Sequence, residues 1–250
     1  MLTAFGVYAF VYPFGIGLLA AGLLPREASW VGGAMLGAQG LALAAWMGLN
    51  WGPRRGIAAA AVLGAGGWLV EAVGVTTGVP FGAYRYTNAL GPWLGPVPAA
   101  IPFAWIAGVG AAVWTARRLL RRRVAGLSAA VLLGATLATL QDAVLEPTVT
   151  QVQGYWRWLD PAGSIGGALS YGVPAVNFAG WFGAALLLGG AMSLLLRPIP
   201  DRLHYGWLPP VLYCMGLFMF GILDAAWGFT APAALATLLL AGFAFCWRLR

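Results

Sequence analysis

Long apolar segments run through the whole chain of 250 residues, separated by short connections that are polar or rich in glycine and proline. Each is close to the roughly 20 residues that an α-helix needs to cross a bilayer. The first is too long for the apolar part of a signal peptide, so we expect it to remain as a helix. The pattern predicts spans at residues 2–24, 30–49, 57–75, 99–116, 124–147, 173–196, 207–227 and 230–248.

This pattern predicts an all-α, polytopic integral membrane protein in which residues 1–250 form a single transmembrane helical domain, with about eight helices in one bundle. Hydrophobic residues make up 61% of the chain and charged residues 8%. Soluble domains carry about 25% charged residues, so the composition supports the same class.

Composition also excludes several functions. One histidine, His204, is too few for membrane di-iron hydroxylases, which need many histidine ligands, or for a two-haem electron carrier. All fourteen basic residues are arginine, which excludes a pigment held by a lysine Schiff base. No GxGxxG motif follows a strand pattern, and we expect neither a cofactor nor a metal site.

The arginines predict the orientation. With a cytoplasmic N-terminus, eleven lie in inside connections and three in outside ones, which favours both termini in the cytoplasm of a multi-pass protein of the inner (plasma) membrane. The run RRLLRRR at 117–123 is interpreted as a topology anchor at the cytoplasmic surface rather than a patch that binds lipid headgroups or nucleic acid. The inside group is Arg54, Arg55, Arg117, Arg118, Arg121, Arg122, Arg123, Arg197, Arg202, Arg248 and Arg250, and the outside group is Arg26, Arg85 and Arg157.

Two predicted outside segments, 76–98 and 148–172, are long and rich in aromatic residues, glycine and proline. We expect them to be ordered, and to lie at the interface or fold back over the bundle. Their tryptophans Trp93 and Trp158 fit a binding site and an aromatic belt equally well. The polar positions of the first segment favour a substrate-binding site, and they are Tyr84, Arg85, Tyr86 and Asn88.

Four of the seven acidic residues lie inside or at the end of apolar spans, where ionisable groups are costly and usually functional. In the predicted orientation they share one depth toward the outer leaflet, together with Asn177. Asp142 and Glu146 are four residues apart and share a helix face. The alternative is that the acids pair with Arg85 and Arg157 to lock loops to helices, and Glu146 fits it best because it precedes Pro147 and could sit in water. The four acids are Glu71, Asp142, Glu146 and Asp224.

Such a site can perform acid–base chemistry on a lipid. A carboxylic acid in an apolar pocket is held neutral by desolvation and can protonate an alkene. Aromatic faces can stabilise the resulting cation, and a second carboxylate can deprotonate an attacking water. We expect Glu71 and Asp142 to form the acid–base pair, with Asn177 and Tyr84 orienting water and Asp224 supporting them.

Two blocks of sequence carry a resemblance to a known family. The first is Glu71 followed by GVTTGVPFGAYRYTNALGP and a proline-rich run to Pro102. The second comprises DAVLEP at 142–147, GYWRW at 154–158 and YGVPAVNFAGWF at 171–182. These blocks resemble the CruF-like carotenoid 1′,2′-hydratase family, the bisanhydrobacterioruberin hydratase-like enzymes. The family has Asp where this chain has Glu146. The residues at family positions are Glu71, Tyr84, Tyr86, Asp142, Glu146, Asn177 and Trp181.

The resemblance implies a cofactor-independent hydratase that acts on the acyclic ψ end of lycopene, γ-carotene or a C50 relative and yields a tertiary 1′-hydroxyl. Its partners would be a carotenoid and membrane lipid, and its oligomeric state is left open. The predicted catalytic residues are Glu71, Asp142, Asp224, Asn177 and Glu146, and the predicted substrate-binding residues are Tyr84, Arg85, Tyr86, Asn88, Trp156, Tyr171 and Trp181.

Three other functions stay open. A membrane lycopene-type cyclase would protonate the same alkene but capture the cation internally. A prenyltransferase would use Asp142 and Glu146 as half of an acidic Mg²⁺ motif, and the sequence shows no second half. A proton-coupled lipid transporter also suits intramembrane acids, although no inverted repeat is visible.

Overall fold

Eight long α-helices make up most of the computed structural model, which describes residues 1–120 and 126–248. The predictions for Arg121, Arg122, Arg123 and Arg250 fall outside these residues. The all-α, polytopic prediction is confirmed, and the helix ends differ from the predicted spans by a few residues. The helices are α1 (Leu2–Ala20), α2 (Trp30–Trp51), α3 (Pro53–Thr77), α4 (Ile101–Leu119), α5 (Leu127–Pro147), α6 (Ala175–Leu195), α7 (Leu208–Ala226) and α8 (Thr230–Arg248).

Helix α4 lies at the centre of the bundle and packs against α2, α3, α5 and α7. Twelve of its nineteen residues are buried, whereas Tyr8 is the buried residue of the peripheral helix α1. In the described part of the chain, seven of the eight helices are long and apolar enough to cross a membrane. The exception is α4, whose last turn carries Arg117 and Arg118.

A glycine of α3 permits close contact between α3 and the indole of Trp105 in α4. Gly67 of α3 lies directly against the ring of Trp105 in α4, where a Cβ atom would overlap the indole. Glu71 is four residues further along α3 and therefore faces the same side of the helix. The missing side chain at 67 lets the Trp105 indole approach α3 closely enough to reach Glu71.

The described arginines of the predicted cytoplasmic group gather at one end of the bundle. Arg55 Nη1 donates a hydrogen bond of 2.8 Å to the carbonyl oxygen of Arg197, which joins the α2–α3 turn to the α6–α7 connection. Arg118 Nη1 lies 3.4 Å from the carbonyl oxygen of Gly206 and ties the end of α4 to the same connection.

At the opposite end, the two long connections fold back over the helices, as predicted. Strand β1 (Tyr84–Tyr86) pairs with β4 (Trp156–Trp158) in an antiparallel ribbon, and β2 (Trp93–Leu94) pairs with β3 (Val97–Pro98). Helix α5 leads into the second connection through a π-helical turn, Thr148–Val152. The ribbon joins the two connections to each other and covers the bundle at this end.

Candidate active site

The β1–β4 ribbon has an aromatic inner face and a basic outer face. Successive side chains of a strand point to opposite sides. Tyr84 and Tyr86 are therefore buried, and Arg85 between them is exposed. Arg85 lies opposite Arg157, which is also exposed. Strand alternation thus places Arg85, a predicted substrate-binding residue, on the face of the ribbon that points away from the bundle.

Beneath the ribbon lies a cleft of about 1580 Å³, part of which is open to the surroundings. It extends from the ribbon between α3, α4 and α5 toward α1, α2 and α7. Most of its wall is apolar, as is usual for sites that bind hydrophobic molecules. Its carboxyl-bearing residues lie at the end covered by the ribbon, and they are Glu71, Asp142 and Glu146.

Three hydrogen-bond donors converge on the buried Glu71. Tyr84 Oη donates to Glu71 Oε2, and Tyr86 Oη donates to the same oxygen at 2.8 Å. Trp105 Nε1 donates to Oε1 at 3.1 Å. Burial, and after it the neighbouring Glu71 carboxyl, raises the pKa of Tyr84 and of Tyr86 above the usual range of a phenol, so both keep their protons. This set of donors suits an ionised carboxylate, which only accepts hydrogen bonds.

A second group joins α5 to α6. Asn177 Nδ2 donates to Asp142 Oδ2 at 2.7 Å and lies 3.5 Å from Glu146 Oε1. Trp158 Nε1 of the ribbon donates to Glu146 Oε2 at 3.2 Å. Glu146 is 1% exposed, so the alternative in which it sits in water is wrong. Asp142 and Glu146 also interact electrostatically with Glu71, so the three carboxyl groups form one cluster.

Aromatic rings surround this cluster. Trp105 and Trp181 stack in parallel with their centroids 4.5 Å apart, and Phe81 lies 6.5 Å from Trp105. On the ribbon, Tyr84 and Trp158 lie 5.3 Å apart. A site of this kind presents π faces and carboxylates to the same small volume, which is the environment that stabilises a carbocation. The rings that line the cleft here belong to Phe81, Tyr84, Tyr86, Trp105, Trp156, Trp158 and Trp181.

Three further predicted residues do not reach the cleft. Asp224 is buried, but its Oδ1 accepts a hydrogen bond of 2.7 Å from Thr148 Oγ1, so it ties α7 to the π-helical turn. Asn88 is exposed and accepts a hydrogen bond from Trp93 Nε1. Tyr171 packs its ring against Phe229 instead. The structure thus places all three residues outside the carboxyl cluster, and their predicted roles stay predictions.

The structure adds residues that the sequence reasoning missed. Trp105, Phe81, Tyr8 and Gln141 all line the cleft. The available signal for Trp105 was its position near the outer end of the fourth span, at the same depth as the acids.

The described residues contain no group of three or more His, Cys, Asp or Glu side chains that could hold a metal ion.

Comparison with known proteins places this arrangement in a family. The family model described as "Carotenoid biosynthesis protein" matches residues 32–243. The chain belongs to this family. A curated relative, the bisanhydrobacterioruberin hydratase of Haloarcula japonica, is 39% identical over 130 residues. That alignment covers 51% of this chain and 39% of the relative, so the chain matches well under two thirds of the relative's length. No solved structure matches the chain.

Proposed function

We propose that the protein is a carotenoid 1′,2′-hydratase, which adds water across the terminal double bond of an acyclic ψ end to give a tertiary alcohol. The observation that carries this proposal is the cluster of three buried carboxyl groups, ringed by aromatic side chains, at one end of an apolar cleft. The name of the relative from Haloarcula japonica supports the same reaction class. Lycopene, γ-carotene or a C50 relative would be the substrate.

In the proposed mechanism, the Asp142–Glu146 pair holds one proton. The two carboxyl groups lie one helical turn apart and share the Asn177 amide, so two negative charges there would repel each other. Asp142 donates the proton to C2′ of the substrate, and C1′ becomes a tertiary cation. The ionised Glu71 and the stacked indoles of Trp105 and Trp181 stabilise this cation electrostatically.

Water then attacks C1′ and must lose a proton. Three donors already occupy the Glu71 carboxylate, so we assign the acceptor role to Asp142, which became an anion in the first step. A C–H bond and a C–O bond form, the π bond is lost, and Asp142 regains its proton. No reductant, oxidant or cofactor is consumed in this sequence.

The cleft also suggests how a long polyene is accommodated. It reaches Tyr8, which lies twelve residues before the end of α1 at Ala20. At 1.5 Å per residue, Tyr8 lies about 18 Å along the helix from that end. An extended carotenoid is comparable in length to the hydrocarbon core of about 30 Å. We propose that the reacting end occupies the carboxyl cluster, the adjoining polyene follows the cleft, and the remainder lies in the bilayer beside α1.

Expression in lycopene-accumulating cells tests the proposal. The extracted pigment is expected to gain the mass of one water, and an isomer of unchanged mass would instead indicate a cyclase. In anaerobic membranes supplied with ¹⁸O-labelled water, the product hydroxyl is expected to carry the label. Loss of activity without O₂, or an unlabelled product, would overturn the proposed hydration.

A further inference from the structure

Some buried polar atoms of the cleft have no hydrogen-bond partner among the described residues. They include Oδ1 of Asp142 and Oε1 of Gln141, which are neighbours on α5 and whose side chains both line the cleft. Leaving a buried polar atom unpaired is costly, so such atoms usually face a water or a ligand group. Asp142 is 1% exposed, and its side chain is part of the cleft wall.

The groups expected to orient the attacking water are already engaged. Tyr84 donates its hydroxyl hydrogen to Glu71. The Asn177 amide nitrogen faces the oxygens of Asp142 and Glu146. The hydroxyl hydrogen of Tyr84 and the amide nitrogen of Asn177 are therefore directed at carboxyl oxygens of the cluster.

A water that attacks a cation must point a lone pair at the carbon, so its two hydrogens have to be held by acceptors. We propose that Gln141 Oε1 and Asp142 Oδ1 form this water seat, with Gln141 as the residue that retains the water when the cation forms. The inference rests on the proposed hydratase function and adds to it the residue that decides whether the cation is captured. The amide oxygen accepts one water hydrogen, and the newly ionised Asp142 takes the other as the C–O bond forms.

The position of Gln141 depends on a glycine of α7. Gln141 Nε2 lies against Gly216, where a Cβ atom would overlap the amide nitrogen. Gly216 also lines the cleft. An alanine at 216 would therefore displace the Gln141 amide without removing any polar group from the site.

The test separates protonation from water capture. Wild-type protein and the variant Gln141→Met are incubated with lycopene in D₂O, and both the alcohol and the deuterium in the recovered lycopene are measured. A cation that loses a proton instead of capturing water returns a deuterated alkene or an isomer. We expect Gln141→Met to lower alcohol formation about tenfold, the effect of losing one hydrogen bond to the attacking water, while deuterium incorporation stays equal or rises.

The outcomes are distinct. Equal loss of alcohol and deuterium in Gln141→Met, or unchanged alcohol formation, overturns the water seat but leaves the hydratase intact. Absence of both signals in the wild-type protein overturns the proposed function itself. If Gln141→Met does not accumulate, Gly216→Ala provides the same comparison. The expected difference between its loss of alcohol formation and its deuterium incorporation is smaller. Gln151→Met is the matched control, because Gln151 is exposed and bonds the carbonyl oxygen of Tyr171 outside the cleft.

Discussion

At the scale of single residues, the carboxyl cluster can be tested by removing titration while keeping shape. Glu71→Gln and Asp142→Asn preserve size and some hydrogen bonding, but neither amide can carry the charge or proton that the mechanism requires. Each is expected to lower turnover at least about a hundredfold, the low end of general acid–base contributions. Measurement of alcohol formed per folded protein in membranes checks this.

Arg197→Gln is the control for these variants, because its side chain is exposed at the basic end of the bundle. It should have near-wild-type turnover. If both amide variants also retain near-wild-type turnover while accumulating normally, the acids are structural and the reaction site lies elsewhere.

The tyrosines that hold Glu71 give a second residue-scale prediction. Tyr86→Phe keeps the ring but removes the hydrogen bond of 2.8 Å to Glu71 Oε2. Because the buried Glu71 carboxylate then loses one hydrogen-bond donor, the substitution should destabilise the fold by about 1–3 kcal/mol and lower turnover about tenfold. Thermal denaturation and turnover measured on the same detergent-solubilised sample check both effects. Tyr205→Phe alters an exposed tyrosine at the other end of the bundle, and a similar loss there would contradict the assignment.

At the scale of elements, the docking of the first long connection on α6 is testable through two glycines. A Cβ atom at Gly180 would lie 2.8 Å from the carbonyl oxygen of Pro80 and 2.8 Å from the Phe81 ring. Gly180→Ala should therefore push the connection and the ribbon away from the cleft, lowering stability by about 1–3 kcal/mol together with turnover.

Gly183→Ala, on the same helix, is the matched control. Among the described residues nothing lies within 4 Å of a Cβ at this position. Alanine is the better helix former, so the melting temperature should be unchanged or slightly higher. Equal effects of the two substitutions would mean that α6 itself, rather than its contact with the connection, is disturbed.

The elements also show what the sequence could predict and what it could not. Hydropathy gives the depth of a residue in a bundle, so Glu71, Asp142 and Asn177 could be placed at one level. It does not give the direction in which a side chain points around the helix axis, so it cannot show that Asp224, at the same level, bonds to Thr148. The ribbon was out of reach because β1 and β4 have three residues each and lie about seventy positions apart. Without that pairing, Arg85 could not be assigned to the outer face.

At the scale of the whole molecule, the basic residues and the carboxyl cluster lie at opposite ends of the bundle. The described arginines Arg54, Arg55, Arg117, Arg118, Arg197, Arg202 and Arg248 belong to the connections and helix ends opposite the ribbon. The carboxyl cluster lies under the ribbon. By the positive-inside rule we propose that the arginine end is cytoplasmic and that the reaction occurs in the outer half of the membrane.

The number of crossings depends on α4, the one long described helix that is not apolar enough by composition to count as a span. Nineteen residues give it a length of about 28 Å, close to the hydrocarbon thickness. Its Trp105 contacts Glu71 at the ribbon end, and its Arg118 contacts Gly206 at the arginine end. Helix α4 therefore extends from one end of the bundle to the other, and its mean hydropathy is lowered by Arg117 and Arg118 in its last turn.

Reporter fusions test whether α4 crosses the membrane. If α4 crosses the membrane, five helices separate the segment 76–98 from the C-terminus, and an odd number puts a reporter inserted at Gly95 on the opposite side from one fused after Arg250. A reporter within residues 199–206, before α7, should agree with the C-terminal one, because two helices lie between them. We expect the C-terminal reporter to be cytoplasmic. If the reporters at Gly95 and the C-terminus fall on the same side, α4 does not cross, and the ribbon end and the arginine end do not lie on opposite sides of the membrane.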